Sequence, residues 1–249
     1  AAFAQTYQDG GEHKLWTDLN WPVTQKEVNV HPEALNVDEP AIIETLDHNF
    51  VHVWNEYQHG QNVWGWVLRY AVIDRFGEVI KAPTNLSSLY DVGGYYNLTN
   101  QPTLAVSADG KIGVVWSSVI QNPANQENYN IWFAIINPSG SLAYSPVNLS
   151  NNDAWGSWQA GNIVQLYDPD ISASADNRFF ISWEKMNQSA DTYDIFYTIR
   201  QSSGAVVVPV TAMTASVSGT HYFPTAQIAL SGNRFFVTYA YYHPSGQNY

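Results

Sequence analysis

Apolar residues in this chain fall into short runs closed by turn signals, and the runs recur in a fixed order. From Pro102 the order is an apolar run (Thr103 to Ser107), an Asp109-Gly110 turn, and a second run ending on Trp116. A polar loop follows, then a third run (Asn130 to Ile136) stopped by Asn137-Pro138-Ser139-Gly140. Runs this short, separated by Asp-Gly and Asn-Pro-Ser-Gly, predict strands and hairpins with no room for a helix.

The same order is written on either side. Pro40 reaches Trp54, Pro102 reaches Trp116 and Pro169 reaches Trp183, each fourteen residues on. Pro224 opens a fourth copy, in which Asn233 to Tyr239 repeats Asn177 to Trp183. Third runs align as Trp66–Tyr70 before Gly77, Tyr129–Phe133 before Gly140 and Tyr193–Tyr197 before Gly204, and Pro83, Pro146 and Pro209 hold matching places in the fourth. Proline donates no ladder hydrogen bond, so the fourth strand should be outermost.

The opening prolines are 62, 67 and 55 residues apart. A four-stranded unit recurring at this length predicts an all-β fold of radially arranged sheets, a β-propeller with about four blades of ~62 residues. The chain divides as one domain, 1–249: blades at 39–100, 101–167 and 168–222, strands one and two of a closing blade at 223–249, and strands three and four at 1–38. Phe3-Ala4 and Asp18-Leu19-Asn20 are the N-terminal strand matches. Either pairing of the termini closes the ring or these residues belong to a larger propeller.

Second strands place Ile112, Val114 and Trp116 on one face and Val115 on the other, and Phe179, Ile181 and Trp183 opposite Phe180, which predicts burial on both faces by neighbouring blades. Turns between strands one and two, and three and four, are short and share one rim. The opposite rim should receive long loops: 55–65, 117–128 and 184–192 within blades, and crossovers 84–101, 150–167 and 212–223 between them. Long loops in a compact fold carry function.

That rim is rich in aromatic and amide side chains. Trp64, Tyr95, Tyr96, Trp155, Trp158, His221 and Tyr222 are the candidate ligand-binding residues, because flat rings suit the C–H faces of sugars and amides suit their hydroxyls. Asp153-Ala-Trp-Gly-Ser-Trp-Gln159 is the most ligand-like segment, with a lid over the core as its structural alternative. Asp38, Asp168 and Asp170, beside blade-opening prolines, supply a carboxylate set for a glycoside hydrolase or lyase. Asn85, Asn97, Asn148 and Asn187 head Asn-x-Ser/Thr sequons and are candidate glycosylation sites.

Composition narrows these readings. With 10 basic and 22 acidic residues the net charge is -12, which opposes nucleic acid and anionic membranes. There is no cysteine, so thiol catalysis and cysteine-zinc sites are out, and the seven histidines show no metal-ligand spacing. No apolar run is long enough to span a bilayer. No phosphate-cradling glycine loop and no nucleophile elbow occur, and neither a cofactor nor a metal is expected.

The repeat Pro-x-(apolar)-x-(Ser/Thr)-x-Asp-Gly followed by (apolar)-Val-x-Trp, then Tyr-(Asn/Asp)-Ile-(aromatic)-(aromatic) and a closing Gly, resembles blades of secreted bacterial and archaeal surface propellers of the sialidase-like superfamily. Asp109 and Trp116 stand further apart than in the sialidase Asp-box, and the arginine triad has no match. The resemblance implies an extracellular or cell-surface module without sialidase chemistry. It would bind polysaccharide or a partner protein at the long-loop rim, or self-associate in a surface layer or filament.

Overall fold

Every predicted run among the described residues becomes a strand. The computed structural model describes residues 8–9, 12–13, 37–59, 64–87, 96–188, 192–214, 220–228 and 234–242. The first three-blade block is β3 (Val37–Glu44), β4 (Phe50–His59), β5 (Trp64–Ile73) and β6 (Val79–Asn85); then β7 (Tyr96–Val106), β8 (Ile112–Gln121), β9 (Glu127–Ile136) and β10 (Leu142–Asn148); then β11 (Val164–Ala173), β12 (Arg178–Asn187), β13 (Thr192–Gln201) and β14 (Val206–Ala212). Each set of four pairs antiparallel in sequence order. Two further hairpins are β1 (Gln8–Asp9) with β2 (Glu12–His13), and β15 (Thr220–Ile228) with β16 (Phe235–Tyr242).

The first strands of successive blades touch one another, β3 against β7, β7 against β11 and β11 against β15. A short parallel pairing, Trp64↔Tyr96 and Gly65↔Asn97, also ties β5 to β7. Among the described residues no strand pairing joins β16 to β1 or β2. The matches at Phe3-Ala4 and Asp18-Leu19-Asn20 lie outside the described residues.

Between blades lie two cores, and the alternation of β8 feeds both. Val114 and Trp116 pack with Val51, Val53, Leu68, Tyr70 and Val72 of the preceding blade. Val115, with Ile131, Phe133 and Ile135 of β9, packs with Ile171, Phe179, Ile181 and Trp183 of the following blade. Covered on both faces, β8 is buried from Ile112 through Ile120. The strand-two tryptophans are core residues, at 0–1% exposure. Strand three lays a flat group on each: Trp132 stacks on Trp116 at 6.4 Å, Phe196 on Trp183 at 6.3 Å, and the Arg69 guanidinium lies 5.9 Å from the Trp54 ring centroid. Arg69 Nη1 also donates to both carboxylate oxygens of buried Glu56, at 2.6 and 2.7 Å.

Outer strands carry the prolines as expected, and the pairing shifts register around each, between Tyr70 and Val72, Tyr144 and Val147, and Tyr197 and Ile199. The turn glycines seat blades together. A Cβ on Gly140 would lie 2.5 Å from Lys81 Cβ, and one on Gly204 2.3 Å from the Tyr144 ring; both glycines have φ above +80°.

One expectation is corrected. The loops placed at 55–65, 117–128 and 184–192 are largely strand, because β4, β8 and β12 continue four or five residues past their tryptophans. Asn55, Ser117, Ser118 and Glu184 read as loop but are buried between blades. Partners satisfy the first three: Thr99 Oγ1 donates to Asn55 Oδ1 at 2.8 Å, Ser117 Oγ to Asn100 O at 3.2 Å, and Trp132 Nε1 to Ser118 Oγ at 2.9 Å. In the second blade only residues 122–126 remain as a turn, held by Asn122. The long crossover persists at 149–163; most of the other two, 88–95 and 215–219, lies outside the described residues.

Candidate functional site

The crossover between β10 and β11 is built from its first residue outward. Leu149 N–H donates to Ile131 O at 2.7 Å, and Ser150 Oγ accepts from Ile131 N–H at 3.0 Å. The Asn85-Leu-Ser segment does the same: Leu86 N–H bonds Leu68 O, and Ser87 Oγ accepts from Leu68 N–H at 2.8 Å. Met213 and Thr214 repeat it on Ile195. The recurring Asn-Leu-Ser is therefore a clamp fixing the end of strand four to strand three. Asn148 is spent in it: Nδ2 donates to Asn130 Oδ1 at 2.7 Å, and Oδ1 accepts from Ser150 Oγ and Asn151 N–H.

Beyond the clamp, asparagines carry the chain onto β9. Asn152 Nδ2 donates to Tyr129 O and its N–H to Asn130 Oδ1. Asn128 Nδ2 donates to the carbonyls of Asn152 and Ala154 at 2.8 and 2.9 Å. Gly156 then exchanges both backbone hydrogen bonds with Glu127. It must be glycine, since a Cβ would stand 2.6 Å from Ile163 Cα. A tight turn through Gly161 (φ +66) follows, with Ser157 N–H donating to Asn162 Oδ1. Trp155 and Trp158 sit on either side of this pinned glycine and are 38% and 52% exposed.

Next to Glu127 the rim holds a polar aromatic cluster that sequence reasoning did not single out. Tyr129 OH donates to Glu127 Oε2 at 2.9 Å and accepts from Gln165 Nε2 at 2.7 Å. Tyr167 meets the Tyr129 ring edge-to-face at 5.8 Å. Burial pushes both phenols well up, with neighbouring Glu127 adding to the rise, so both remain protonated. Gln165 Oε1 is buried with no hydrogen-bond partner among the described residues. The signal was available in the phase of β9 and β11, which brings Tyr129 and Tyr167 together, but those tyrosines read as ordinary strand residues.

A second arrangement surrounds the blade-opening prolines. Glu39, Gln101 and Asp168 precede Pro40, Pro102 and Pro169, and all three have positive φ (46°, 53° and 45°) within a bulge of the first strand. Their side chains hand on from blade to blade. Glu39 Oε2 accepts from the Gln101 N–H at 2.6 Å, and Gln101 Oε1 accepts from the Asp168 N–H at 3.0 Å. Gln101 Nε2 also donates to Asp168 Oδ1, and Asn55 Nδ2 to Glu39 Oε2 at 2.9 Å. The sequence gives these three positions no common residue type; the shared role is acceptance of the next blade's N–H. Glu39 titrates above the ordinary carboxylate range, first because it is half-buried and further because Asp38 lies beside it, against the lowering effect of its N–H partners.

Of the carboxylates expected at the channel mouth, Asp38 Oδ1 accepts from the Glu39 N–H, Asp170 Oδ1 from the Ile171 N–H, and Asp168 is held by Gln101. Trp64 and Tyr96 pair through their backbones at the junction of the first two blades, apart from the Trp155–Trp158 crossover; their side chains, and Tyr95 altogether, lie outside the described residues. His221 and Tyr222 are in β15, opposite Tyr241 and Ala240, with their side chains also outside the description. Asn85 is exposed, while Asn97 and Asn187 are strand residues of β7 and β12. Among the described residues no group of three or more His, Asp or Glu side chains is placed to hold a metal.

No protein-family model matches the chain. A search of curated proteins finds no match in sequence. Solved structures do match in shape. A Hadza microbial sialidase superposes with a TM-score of 0.52 at 10% identity, over 88% of this chain and 48% of its own. The Penicillium chrysogenum alpha-L-arabinanase complexed with arabinobiose gives 0.51 at 10% identity, over 91% of this chain and 67% of its own. An endo-arabinase from Bacteroides thetaiotaomicron gives 0.46 at 13% identity, over 99% of this chain and 89% of its own. The chain thus spans about half the length of the sialidase. At such identities the likeness is one of fold: sequential four-stranded antiparallel sheets, packed face to face through their first strands, make this chain a β-propeller.

Proposed function

We propose that the protein is a glycan-binding propeller of the extracellular or cell-surface space, seating polysaccharide on Trp155 and Trp158. The observation that carries the reading is the exposed indole pair on a crossover tied to β9 from Asn152 to Gly156. Two exposed indoles close together on one crossover form an apolar surface on which a sugar face can rest, and a backbone fixed in advance lowers the entropy lost on binding. Exposed Gln159, next to Trp158, offers an amide to the hydroxyls of a sugar. The fold shared with a sialidase and with an arabinanase complexed with arabinobiose supports a carbohydrate ligand over a partner protein.

Binding rather than hydrolysis is favoured by the use made of the channel-mouth carboxylates. Asp38 and Asp170 cap backbone N–H groups, while Gln101 occupies both Glu39 and Asp168. A retaining or inverting pair needs two carboxyl groups free to face the glycosidic bond. The test is depletion of the protein by insoluble arabinan, xylan and cellulose, with reducing-sugar release measured in the same tubes. Depletion without new reducing ends is the expected result. Turnover that disappears in Asp38→Asn/Asp168→Asn would replace this reading with a glycoside hydrolase.

A further inference from the structure

Among the described residues the charge of the two rims differs in kind. Arg75, Lys111, Arg178 and Arg234 all lie in or beside the short turns, and Lys81 and Arg200 stand at the adjoining strand ends. Among the described residues, the loops of the other rim, at 86–87, 122–126, 149–163, 188 and 213–214, contain no lysine or arginine. Acidic residues occur there throughout: Asp38, Glu39, Glu127, Asp153, Asp168 and Asp170 among the described ones. Among the described residues the cations nearest that rim are engaged, Arg69 by Glu56 and Lys185 over the Phe196 ring at 5.3 Å.

At the tryptophan pair the same sign prevails. Glu127 is the backbone partner of Gly156, between the two indoles, and exposed Asp153 precedes Trp155 by two residues. The neighbouring Tyr129 and Tyr167 remain neutral hydroxyls, so the cluster adds donors without adding a cation. We infer that the platform selects glycans without acidic sugars, rejecting uronic and sialic acid chains and accepting neutral ones. This rests on the glycan-binding reading above. A carboxylate on the ligand within several ångströms of Asp153 and Glu127 meets two like charges, an opposition of about five- to tenfold in affinity at low ionic strength.

The test is titration calorimetry at low salt with two probe sets: arabinan, xylo-, cello- and manno-oligosaccharides, and oligogalacturonate, alginate oligosaccharide and sialyllactose. Binding confined to the neutral set, with Asp153→Lys raising affinity for acidic probes about threefold or more, is the expected result. An acidic probe that binds as tightly as the best neutral one, and loses affinity in Trp155→Ala, overturns the charge selection and leaves the platform standing. Heat from no probe in either set overturns the glycan-binding reading and the selection with it.

Discussion

Glu39 shows how a single side chain can be structural and titratable at once. Both of its hydrogen bonds, from Gln101 N–H and Asn55 Nδ2, arrive on the same oxygen, Oε2. Burial holds its folded-state carboxyl above the ordinary value of 4.5. A raised folded value means that ionisation works against folding: the stability this group contributes is full below the unfolded value and is lost as pH rises through the folded one. Glu39→Gln keeps an acceptor oxygen for both donors and removes the charge. Denaturant melts of the variant should match the parent near pH 4 and exceed it at pH 7; a variant that is less stable at pH 7 would contradict this account. Asp109 runs the opposite way. Burial opposes its ionisation, but hydrogen bonds from Ser107 and Ser202 and the Lys111 charge draw it down, so its contribution fades as acid is added.

At the scale of the element, the strands were legible and their ends were not. Apolar alternation, the four prolines and the turn glycines located the regular strands, because period-two burial and φ above zero leave direct marks in sequence. The extension of β4, β8 and β12 beyond their tryptophans left no such mark. There Asn55, Ser117 and Ser118 are buried polar residues paired across blades, and polar residues in a row read as loop. The blade seams were half legible. Gly140 and Gly204 announced turns, yet sequence did not reveal that each lies flush on the preceding blade, against Lys81 and Tyr144. Gly204→Ala should cost about 2–4 kcal/mol by combining a left-handed φ with a collision against the Tyr144 ring. Equilibrium unfolding reads this directly, and Gly204→Ala/Tyr144→Ala should recover part of the loss if the collision is the cause.

For the whole molecule, the candidate site separated into what a strand pattern can and cannot convey. Trp155 and Trp158 stood out because two tryptophans among small polar residues have no place in a periodic core. The handover from Glu39 to Gln101 to Asp168 did not, since a carboxylate, an amide and another carboxylate share a role only once the first strands are side by side. That belt and the tryptophan crossover lie toward the same long-loop rim and divide its tasks, one holding blades together and the other facing solvent. Exposed aromatic surface also remains on β16, where Phe236 and Tyr239 are 55% and 38% exposed, while their counterparts Phe180 and Trp183 in β12 are 4% and 1%. Strand three covers the counterparts, through Tyr197 and Phe196.

The central claim is that the two indoles are the glycan platform. Its most direct measurement is the affinity of the best neutral oligosaccharide for the parent protein, for Trp155→Ala, for Trp158→Ala and for Trp158→Phe, with circular dichroism and unfolding midpoints taken on the same samples. Both tryptophans are exposed, so folding should be unchanged in every variant. Each alanine should weaken binding about tenfold, roughly 1.4 kcal/mol, and phenylalanine should restore part of it because a flat ring remains. Undiminished binding in both alanine variants, with the fold intact, would contradict the account and move the ligand elsewhere on the molecule.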